Sequence, residues 1–318
     1  MKEQFFVTGA TGCIGSWVVK NLIETCCEVH ALVRGGNLDK LKLIMSDAEI
    51  SKVHILRGDI SDGDLLEAYF GKNRIRHIIH LAAMQLPLCR ANPRLGARVN
   101  VEGTVNIFEA AKKNGIHDVV YSSSTAVYGK AGDYESGCFD HNSPLIPTSH
   151  YGVFKQANEW DAKVYYHDAG LSSIGIRPFV VYGPLRDQGM TSTPTLAMKS
   201  AVELKQYEIT YGGKFEFQYV DDTAKAFIQA ALCEHEGADA YNLGGETVDM
   251  KDVVKAIEDV LPRTKGLISY INTPLPFPQH ANDRELEKLI GPVCTTPLSE
   301  GVKKSMEIFD KAIKYTQN

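Results

Sequence analysis

Short β-rich runs alternate with helix-length segments through the first half of this 318-residue chain. Each run is followed by a segment with apolar residues at helical spacing. Repeated βα units of this kind build a parallel sheet with helices on both faces, because each crossover is right-handed and covers one face. The runs lie at residues 4–8, 28–33, 53–57, 77–81 and 119–122, and the helical segments at 12–24, 38–48, 61–70, 96–113 and 151–167. The sequence therefore predicts an α/β fold with a doubly wound parallel sheet.

The regular alternation ends near residue 178. A sixth run at residues 172–177 precedes Pro178, and residues 183–194 are then rich in Gly, Pro, Thr and Ser. The later segments are shorter and mixed in type. We predict one domain at residues 1–178 and a smaller mixed α/β region at residues 179–318, with some segments of that region returning to the main sheet.

Composition and charge exclude several classes of protein. The chain is 44% hydrophobic and 23% charged, as is typical of globular proteins, and its net charge of −5 argues against a nucleic-acid binder with a basic face. Its apolar stretches are shorter than the roughly 20 residues that cross a bilayer, and no secretory signal is expected. Seven cysteines form no CxxC pair, and the ten histidines are scattered. We expect a cytoplasmic protein with reduced thiols, a small-molecule partner, no nucleic acid, no membrane and no metal.

The first predicted strand continues directly into a glycine-rich loop, TGATGCIG at residues 8–15. Glycines at this spacing allow a tight turn, close approach of the backbone to a pyrophosphate, and close packing of the helix on its strand. The loop could also be a turn without a ligand, but its place in a βα unit favours a Rossmann-type dinucleotide site. We interpret Cys13 as a small side chain beside the phosphates rather than a redox group. The predicted contacts are Gly9, Thr11, Gly12, Cys13, Ile14 and Gly15.

The end of the second predicted strand bears on the choice of cofactor. Folds that bind NAD place an acidic residue there to hold the ribose diol, whereas this strand ends in Arg34, followed by Gly35 and Gly36. A guanidinium pairs well with a 2′-phosphate. We predict NADP over NAD. The alternative is that Arg34 stacks on adenine or faces solvent, and that either cofactor serves.

Residues at the ends of the next two strands complete the predicted cofactor site. Asp59 and Ile60 follow the third strand, where a carboxylate can accept a hydrogen bond from the adenine amino group. Leu81, Ala82 and Ala83 follow the fourth strand. Open α/β sheets bind ligands at the carboxyl ends of their strands, so we expect these residues to line the cofactor.

Two segments after the fifth strand carry catalytic residue types. Ser124 ends a run of three serines, and Tyr151 and Lys155 lie on a predicted helix. Their i,i+4 spacing puts the phenol and the ammonium on one face of that helix. A nearby cation lowers the pKa of tyrosine, so the phenol can exchange a proton with a substrate hydroxyl or carbonyl while hydride moves to or from nicotinamide. Ser124 would give a second hydrogen bond to the same oxygen.

Seven motifs in this order resemble the extended short-chain dehydrogenase/reductase family, of the NAD-dependent epimerase/dehydratase type, over nearly the whole chain. The motifs are TGATGCIG at 8–15, NVEGT at 100–104, SSS at 122–124 with VYG at 127–129, YxxxK at 151–155, RP at 177–178 with VYGP at 181–184, YVDD at 219–222 and NLGG at 242–245.

The resemblance implies a role for each matching residue. Tyr151 would be the acid/base, Lys155 its pKa partner and ribose anchor, and Ser124 the donor to the reacting oxygen. The resemblance also places Asn100 in a proton-relay helix, and Pro178 and Val181 beside the nicotinamide carboxamide. It implies a homodimer formed through the helices at residues 100–113 and 151–167.

Departures from the family pattern bear on the substrate. Dehydratases of this family carry an Asp-Glu pair after the catalytic hydroxyl, where this chain has Thr125-Ala126. Enzymes acting on nucleotide sugars clamp the diphosphate with an arginine at the position of Phe215, and residues 274–279 here contain no Arg or Lys. Burying phosphates without a guanidinium is costly, although Lys214, Arg186 or helix N-termini could substitute. We predict a smaller substrate bound by Met84, Gln85, Ser124, Thr125, Phe179, Arg186, Gln188, Phe215 and Gln218.

Three hypotheses follow. The first is an NAD(P)-dependent oxidoreductase that interconverts a secondary alcohol and a ketone on a small, non-nucleotide substrate such as a sugar or sugar acid. The second is a nucleotide-sugar epimerase of the UDP-sugar 4-epimerase type with tightly bound NAD. The third is a non-catalytic sensor of dinucleotides, which the intact Ser124, Tyr151 and Lys155 disfavour.

Overall fold

The computed structural model describes residues 2–35, 38–134, 138–276 and 279–317. Gly36, and Phe277 and Pro278 of the segment 274–279, therefore lie outside the described residues. The strands are β1 (Gln4–Thr8), β2 (Glu28–Val33), β3 (His54–Arg57), β4 (His77–His80), β5 (Asp118–Ser122), β6 (Cys138–Phe139), β7 (Ser172–Arg177), β8 (Val180–Tyr182), β9 (Tyr207–Ile209), β10 (Lys214–Tyr219), β11 (Ala238–Asn242), β12 (Glu246–Asp249), β13 (Ile268–Tyr270) and β14 (His280–Ala281). The helices are α1 (Cys13–Glu24), α2 (Asp47–Ile50), α3 (Gly63–Lys72), α4 (Leu86–Ala91), α5 (Pro93–Ala97), α6 (Gly103–Lys113), α7 (His150–Ala169), α8 (Thr193–Val202), α9 (Val220–Leu232), α10 (Met250–Val260), α11 (Arg284–Ile290) and α12 (Leu298–Gln317).

Seven parallel strands form the central sheet, in the order β3-β2-β1-β4-β5-β7-β11. Strands β2 and β3 are added on one side of β1, and β4 and the later strands are added on its other side. In open α/β sheets, ligands bind at this switch point between β1 and β4. The predicted doubly wound, Rossmann-type α/β fold is confirmed.

Side chains alternate between the two faces of β1 and fill two hydrophobic cores. Phe5 and Val7 join the core that holds α1 and α9, whereas Phe6 joins the core that holds α3 and α6. A strand that is buried on both faces needs apolar residues at successive positions, and the sequence of β1, QFFVT, shows such a run.

The crossover from β2 to β3 differs from the helix predicted at residues 38–48. It contains a 3₁₀ turn at Leu41–Leu43 and then the short helix α2. The hydroxyl of Ser46 accepts from the Glu49 N–H, and the Glu49 carboxylate accepts from the Ser46 N–H. This capping box starts a new helix inside the predicted one.

The chain after residue 178 contributes both to a second layer and to the main sheet. Strand β10 pairs with β8 in parallel and with β12 antiparallel, and two short parallel pairs, β9 with β13 and β6 with β14, accompany this sheet. Strand β11 extends the main sheet beside β7, and α9 packs against α1. The domain division at residue 178 stays a prediction.

Among the described residues, no helix combines the length and the apolarity that a membrane crossing requires. The six cysteines whose side chains are described are free thiols.

Candidate active site

Glycines shape the loop between β1 and α1. Gly9 has φ +65°, and a Cβ there would lie 2.7 Å from the carbonyl carbon of Leu81. A Cβ on Gly15 would lie 2.2 Å from the Gly9 carbonyl oxygen. Larger residues would therefore push the loop away from β4 and from its own helix. The resulting cradle, at the N-terminus of α1, fits the pyrophosphate of a dinucleotide.

A buried network joins this loop to the end of β4. The Thr8 hydroxyl oxygen accepts from the N–H groups of Leu81 and Ala82, at 3.0 Å each, and lies 2.7 Å from His80 Nδ1. Because Thr8 already accepts twice, its own proton goes to Nδ1, so His80 donates from Nε2 to Thr104, 3.0 Å away. Burial, with a smaller effect of the Lys155 charge, lowers the pKa of His80 from 6.5 to about 3.

The neutral state of His80 predicts acid sensitivity. The unfolded chain takes up a proton near pH 6.5 and the folded chain only near pH 3, so this stability is fully present above pH 6.5 and is lost as pH falls towards 3. The expected slope is up to about 1.4 kcal/mol per pH unit. Urea unfolding between pH 7 and pH 4 should show a shallower slope in His80→Asn than in the wild type. His167→Asn, at an exposed site, is the control, and equal slopes in all three proteins would contradict the assignment.

The cleft consists of two adjoining cavities that share Gly9, Gly12, Cys13, Ala82, Ala83, Gln85 and Arg186. Predicted residues that line the first cavity, besides the shared ones, are Ile14, Gly15, Leu81, Ser124, Thr125, Tyr151, Lys155, Pro178, Phe179 and Val181. Those that line the second are Thr11, Arg34, Asp59, Ile60, Met84 and Gln188. The first cavity thus holds Ser124, Tyr151 and Lys155, and the second holds residues predicted for the adenosine end, Arg34, Asp59 and Ile60, together with two predicted substrate residues, Met84 and Gln188.

Ser124, Tyr151 and Lys155 meet at the wall of the first cavity. Helix α7 begins after the N-cap Ser149, whose hydroxyl accepts from the Gly152 N–H at 3.1 Å, so Tyr151 falls in its first turn. Ser124 lies close enough to Tyr151 that its hydroxyl lowers the pKa of the phenol. Lys155 Nζ lies 5.8 Å from the centroid of the Tyr151 ring and donates to the Ser122 carbonyl at 2.5 Å.

The electrostatics differ from the expectation that a cation lowers the pKa of the tyrosine. Burial raises the pKa of Tyr151, and the nearby Ser124 hydroxyl and the Arg186 charge only partly oppose it. Burial also lowers the pKa of Lys155 from 10.5 to about 8. The phenol therefore holds its proton at neutral pH and can donate it.

A buried ion pair fixes the segment that carries Ser124. Ser123 donates to Glu159 Oε1 at 2.5 Å, and Glu159 accepts two further bonds from Arg177, at 2.8 and 2.6 Å. Arg177 also donates to the Tyr128 hydroxyl at 2.6 Å. Glu159 is on α7 and Arg177 ends β7, so this pair ties the catalytic helix to the sheet.

Asn100 lies in a π-helical turn, Arg98–Glu102, and not in the wall of either cavity. Its side chain accepts from the Met84 N–H at 2.7 Å and donates to the Met84 carbonyl at 2.9 Å. Its own carbonyl accepts from Thr104 and Asn158. Asn100 thus holds the loop after β4 in place, and its part in a proton relay stays a prediction.

Two predicted substrate residues are not brought to the cleft. Phe215 is 1% exposed and packs against Tyr211 and Phe217 in the core. The side-chain oxygen of Gln218 accepts a hydrogen bond from the Phe179 N–H, and its side-chain nitrogen donates to the carbonyls of Leu243 and Gly244. The two side chains lie on opposite faces of β10, and because that strand is buried almost throughout, neither reaches the cleft.

Cys13 lines both cavities, and burial raises the pKa of its thiol to about 12. A thiol that stays protonated at neutral pH is a poor nucleophile, which agrees with its interpretation as a small side chain in the loop.

Sequence reasoning missed an ion pair at the adenosine end of the cleft. Lys40, after β2, lies 2.7 Å from Asp187, after β8, and both line the second cavity. The hydrogen bond that Thr191 accepts from Arg186, at 3.0 Å, was likewise not predicted. The two partners of the ion pair are far apart in the chain and belong to no motif, so no local signal identifies them.

A Rossmann fold with a glycine cradle at its switch point, and a Ser-Tyr-Lys group beside it, defines an enzyme of the extended short-chain dehydrogenase/reductase class. The chain belongs to the NAD dependent epimerase/dehydratase family, whose model matches residues 5–244.

Named relatives and solved structures extend this comparison. UDP-glucuronate 4-epimerase 6 of Arabidopsis thaliana is 30% identical over 80% of this chain and 60% of its own length. The structure of MoeE5 in complex with UDP-glucose and NAD matches 98% of this chain and 99% of that one, with a TM-score of 0.79 and 26% identity. A monomeric L-threonine 3-dehydrogenase from a metagenome matches 97% and 99%, with a TM-score of 0.83 and 22% identity, which shows a shared fold.

Proposed function

We propose that the protein is an NAD(P)-dependent oxidoreductase that interconverts a secondary alcohol and a ketone on a small, polar, non-nucleotide substrate. The observation that carries this proposal is the convergence of Ser124, Tyr151 and Lys155 on one cavity beside the glycine cradle. A nicotinamide dinucleotide bound along the cleft supplies the hydride donor or acceptor.

The side chains supply the proton and orient the substrate. In the direction of reduction, Tyr151 donates its phenolic proton to the substrate carbonyl oxygen, to which Ser124 also donates a hydrogen bond. Lys155 stabilises the phenolate left behind, because its ammonium lies on the same helix face. In the direction of oxidation, the phenolate takes the proton from the substrate hydroxyl.

The charges in the cleft support a substrate smaller than a nucleotide sugar. Phe215 occupies the family's arginine position and is buried in the core, and its neighbour Lys214, the first residue of β10, is exposed. Arg186 is the cation at the junction of the two cavities, and its Nε is buried without a hydrogen-bond partner among the described residues. We propose that this guanidinium binds one anionic or polar group of the substrate, such as the carboxylate of a sugar acid.

A nucleotide-sugar epimerase is the second candidate, because a UDP-glucuronate 4-epimerase is among the named relatives at 30% identity. The test is a screen of the purified protein against secondary alcohols, sugar acids and UDP-sugars, monitored by nicotinamide absorbance at 340 nm. Net absorbance change with a small alcohol or ketone supports the oxidoreductase. Interconversion of UDP-sugars without net change would overturn it.

The residues around the adenosine end support a preference for NADP. Arg34 is exposed at the second cavity, and Arg57 donates to the Gly35 carbonyl at 2.9 Å, which braces the turn after Arg34. Asp59, the nearby carboxylate, has its pKa lowered by hydrogen bonds from Ser61 and, to a lesser extent, by the charge of Arg34.

We therefore expect the wild type to bind NADPH more tightly than NADH. Arg34→Asp should reverse that preference and weaken NADPH binding by about 10- to 100-fold, since a hydrogen bond to a charged group contributes about 1.5–3 kcal/mol. Dissociation constants from cofactor fluorescence, with Arg74→Asp outside the cleft as the control, measure this. A wild type that prefers NADH would rule out the NADP assignment.

The expected homodimer and the cytoplasmic location stay predictions. The homodimer is supported by exposed apolar side chains on α7, which include Val153, Trp160 and Val164.

A further inference from the structure

Two histidines and a glutamate lie close together near the amino ends of β2 and β3. The catalytic cleft lies at the opposite, carboxyl ends of the strands. Glu28 and His30 stand two residues apart in β2, on the same face, and His54 begins β3 directly opposite His30. One donor atom from each of the three lies within 4.8 Å of the others. The histidine rings stack face to face, with centroids 4.8 Å apart and planes 21° apart, so binding one ion through both rings requires the exposed ring of His54 to turn.

The distances suit a coordinated metal ion. Glu28 Oε1 lies 3.4 Å from His30 Nε2 and 3.6 Å from His54 Nε2. Ligand atoms about 2.0–2.1 Å from a tetrahedral Zn²⁺ are separated by about 3.4 Å. The Glu28 oxygen therefore already lies at ligand spacing from both histidine nitrogens.

The partner of His30 Nε2 is the carboxylate of Glu28, 3.4 Å away. His30 is 3% exposed, and its Nε2 is buried without a hydrogen bond among the residues that the structure describes, although it points at Glu28. Its other nitrogen, Nδ1, lies 2.8 Å from the Tyr69 hydroxyl. When a cation displaces the proton from Nε2, Nδ1–H can donate to Tyr69, and the Nε2 lone pair then faces the cluster.

Neighbouring side chains hold the ligands as a second coordination shell would. Tyr69 fixes the ring of His30, and Gln4 donates to Glu28 Oε2 at 3.0 Å, which leaves Oε1 turned towards the histidines. Ligating histidines in metalloproteins are held in this way through their second nitrogen, and ligating carboxylates are likewise hydrogen-bonded. The side chain of His54 is 56% exposed, so the site opens to solvent and has room for a water ligand.

We propose that Glu28, His30 and His54 bind one divalent transition-metal ion, with Zn²⁺ as the best match to two imidazoles and a carboxylate. Mg²⁺ and Ca²⁺ prefer all-oxygen sites and are not expected to bind. The cluster joins β2 to the edge strand β3 near their amino ends, whereas the cleft lies at their carboxyl ends. The ion therefore has a structural role: it clamps the edge strand to the sheet.

The test uses the full chain without an affinity tag, treated with a chelator and then titrated with ZnCl₂ by calorimetry. We expect uptake of one equivalent and a rise in the thermal unfolding midpoint. His54→Ala and Glu28→Gln should each abolish saturable uptake and the thermal shift, because each removes one of the three ligands. His167→Ala is the matched control, because it removes an exposed histidine beside a carboxylate, Asp168, outside the cluster.

The outcomes decide the proposal. Saturable uptake that is lost in His54→Ala and kept in His167→Ala supports it. No saturable uptake, equal uptake by His54→Ala and the wild type, or equal binding of MgCl₂ would overturn it. Because the side chain of His54 is exposed, we expect His54→Ala to fold. This variant can therefore test the proposal even if Glu28→Gln does not fold.

Discussion

Replacing Tyr151 with phenylalanine should lower kcat by about 10²- to 10⁴-fold, the usual contribution of a positioned acid or base. The substitution removes the phenolic proton and keeps the ring, so the cavity keeps its shape. Dinucleotide binding should change little, because the glycine cradle and Arg34 are untouched. Steady-state kinetics with the substrate found by the absorbance screen, together with a cofactor dissociation constant, measure both effects.

Tyr166→Phe is the matched control for this experiment. Tyr166 lies on the same helix, α7, and its hydroxyl faces Glu236 at 3.3 Å rather than the cleft. We expect Tyr166→Phe to keep wild-type kcat. A Tyr151→Phe enzyme within about threefold of wild type would remove the proton-transfer role of this residue, since that role contributes at least about 10²-fold.

Replacing Glu159 with glutamine should lower the free energy of unfolding by about 3–5 kcal/mol, because removing one partner leaves the buried guanidinium of Arg177 without its counter-charge. Both side chains of the pair are 4% exposed. Glu159 also accepts from Ser123, so its loss loosens the segment before Ser124. Urea denaturation followed by circular dichroism measures the change.

A surface ion pair is the control for the buried one. Lys255 and Asp259 on α10 are 69% and 64% exposed, and Asp259→Asn should cost no more than about 1 kcal/mol. The double variant Glu159→Leu/Arg177→Met should recover part of the loss, because an apolar pair needs no desolvation. A Glu159→Gln protein as stable as Asp259→Asn would show that the buried pair contributes little.

The sequence was most informative where a function depends on neighbours along the chain. The glycine loop and the Tyr151–Lys155 pair are local patterns, whose geometry follows from a strand-to-helix turn and from helical spacing. Strand ends such as Asp59 and Ala82 could also be predicted, since parallel strands present their carboxyl ends at one edge.

The remainder depends on contacts between distant segments. Phe215 was predicted to face the substrate from its position in a family motif, but β10 is buried on both faces, and no alternation distinguishes its sides. The pKa of Tyr151 depends on burial, which spacing alone does not give. The cluster of Glu28, His30 and His54 requires the register of β2 on β3, so histidines that look scattered in the sequence meet in the fold.

The most direct test of the proposed reaction is its stoichiometry. With the substrate identified by the screen, product formed is quantified by chromatography and cofactor converted is quantified by absorbance at 340 nm in the same reaction. The proposed reaction requires that one nicotinamide is oxidised or reduced for each product molecule. Product that accumulates through many turnovers while the cofactor stays bound and unchanged would contradict it and identify an epimerase instead.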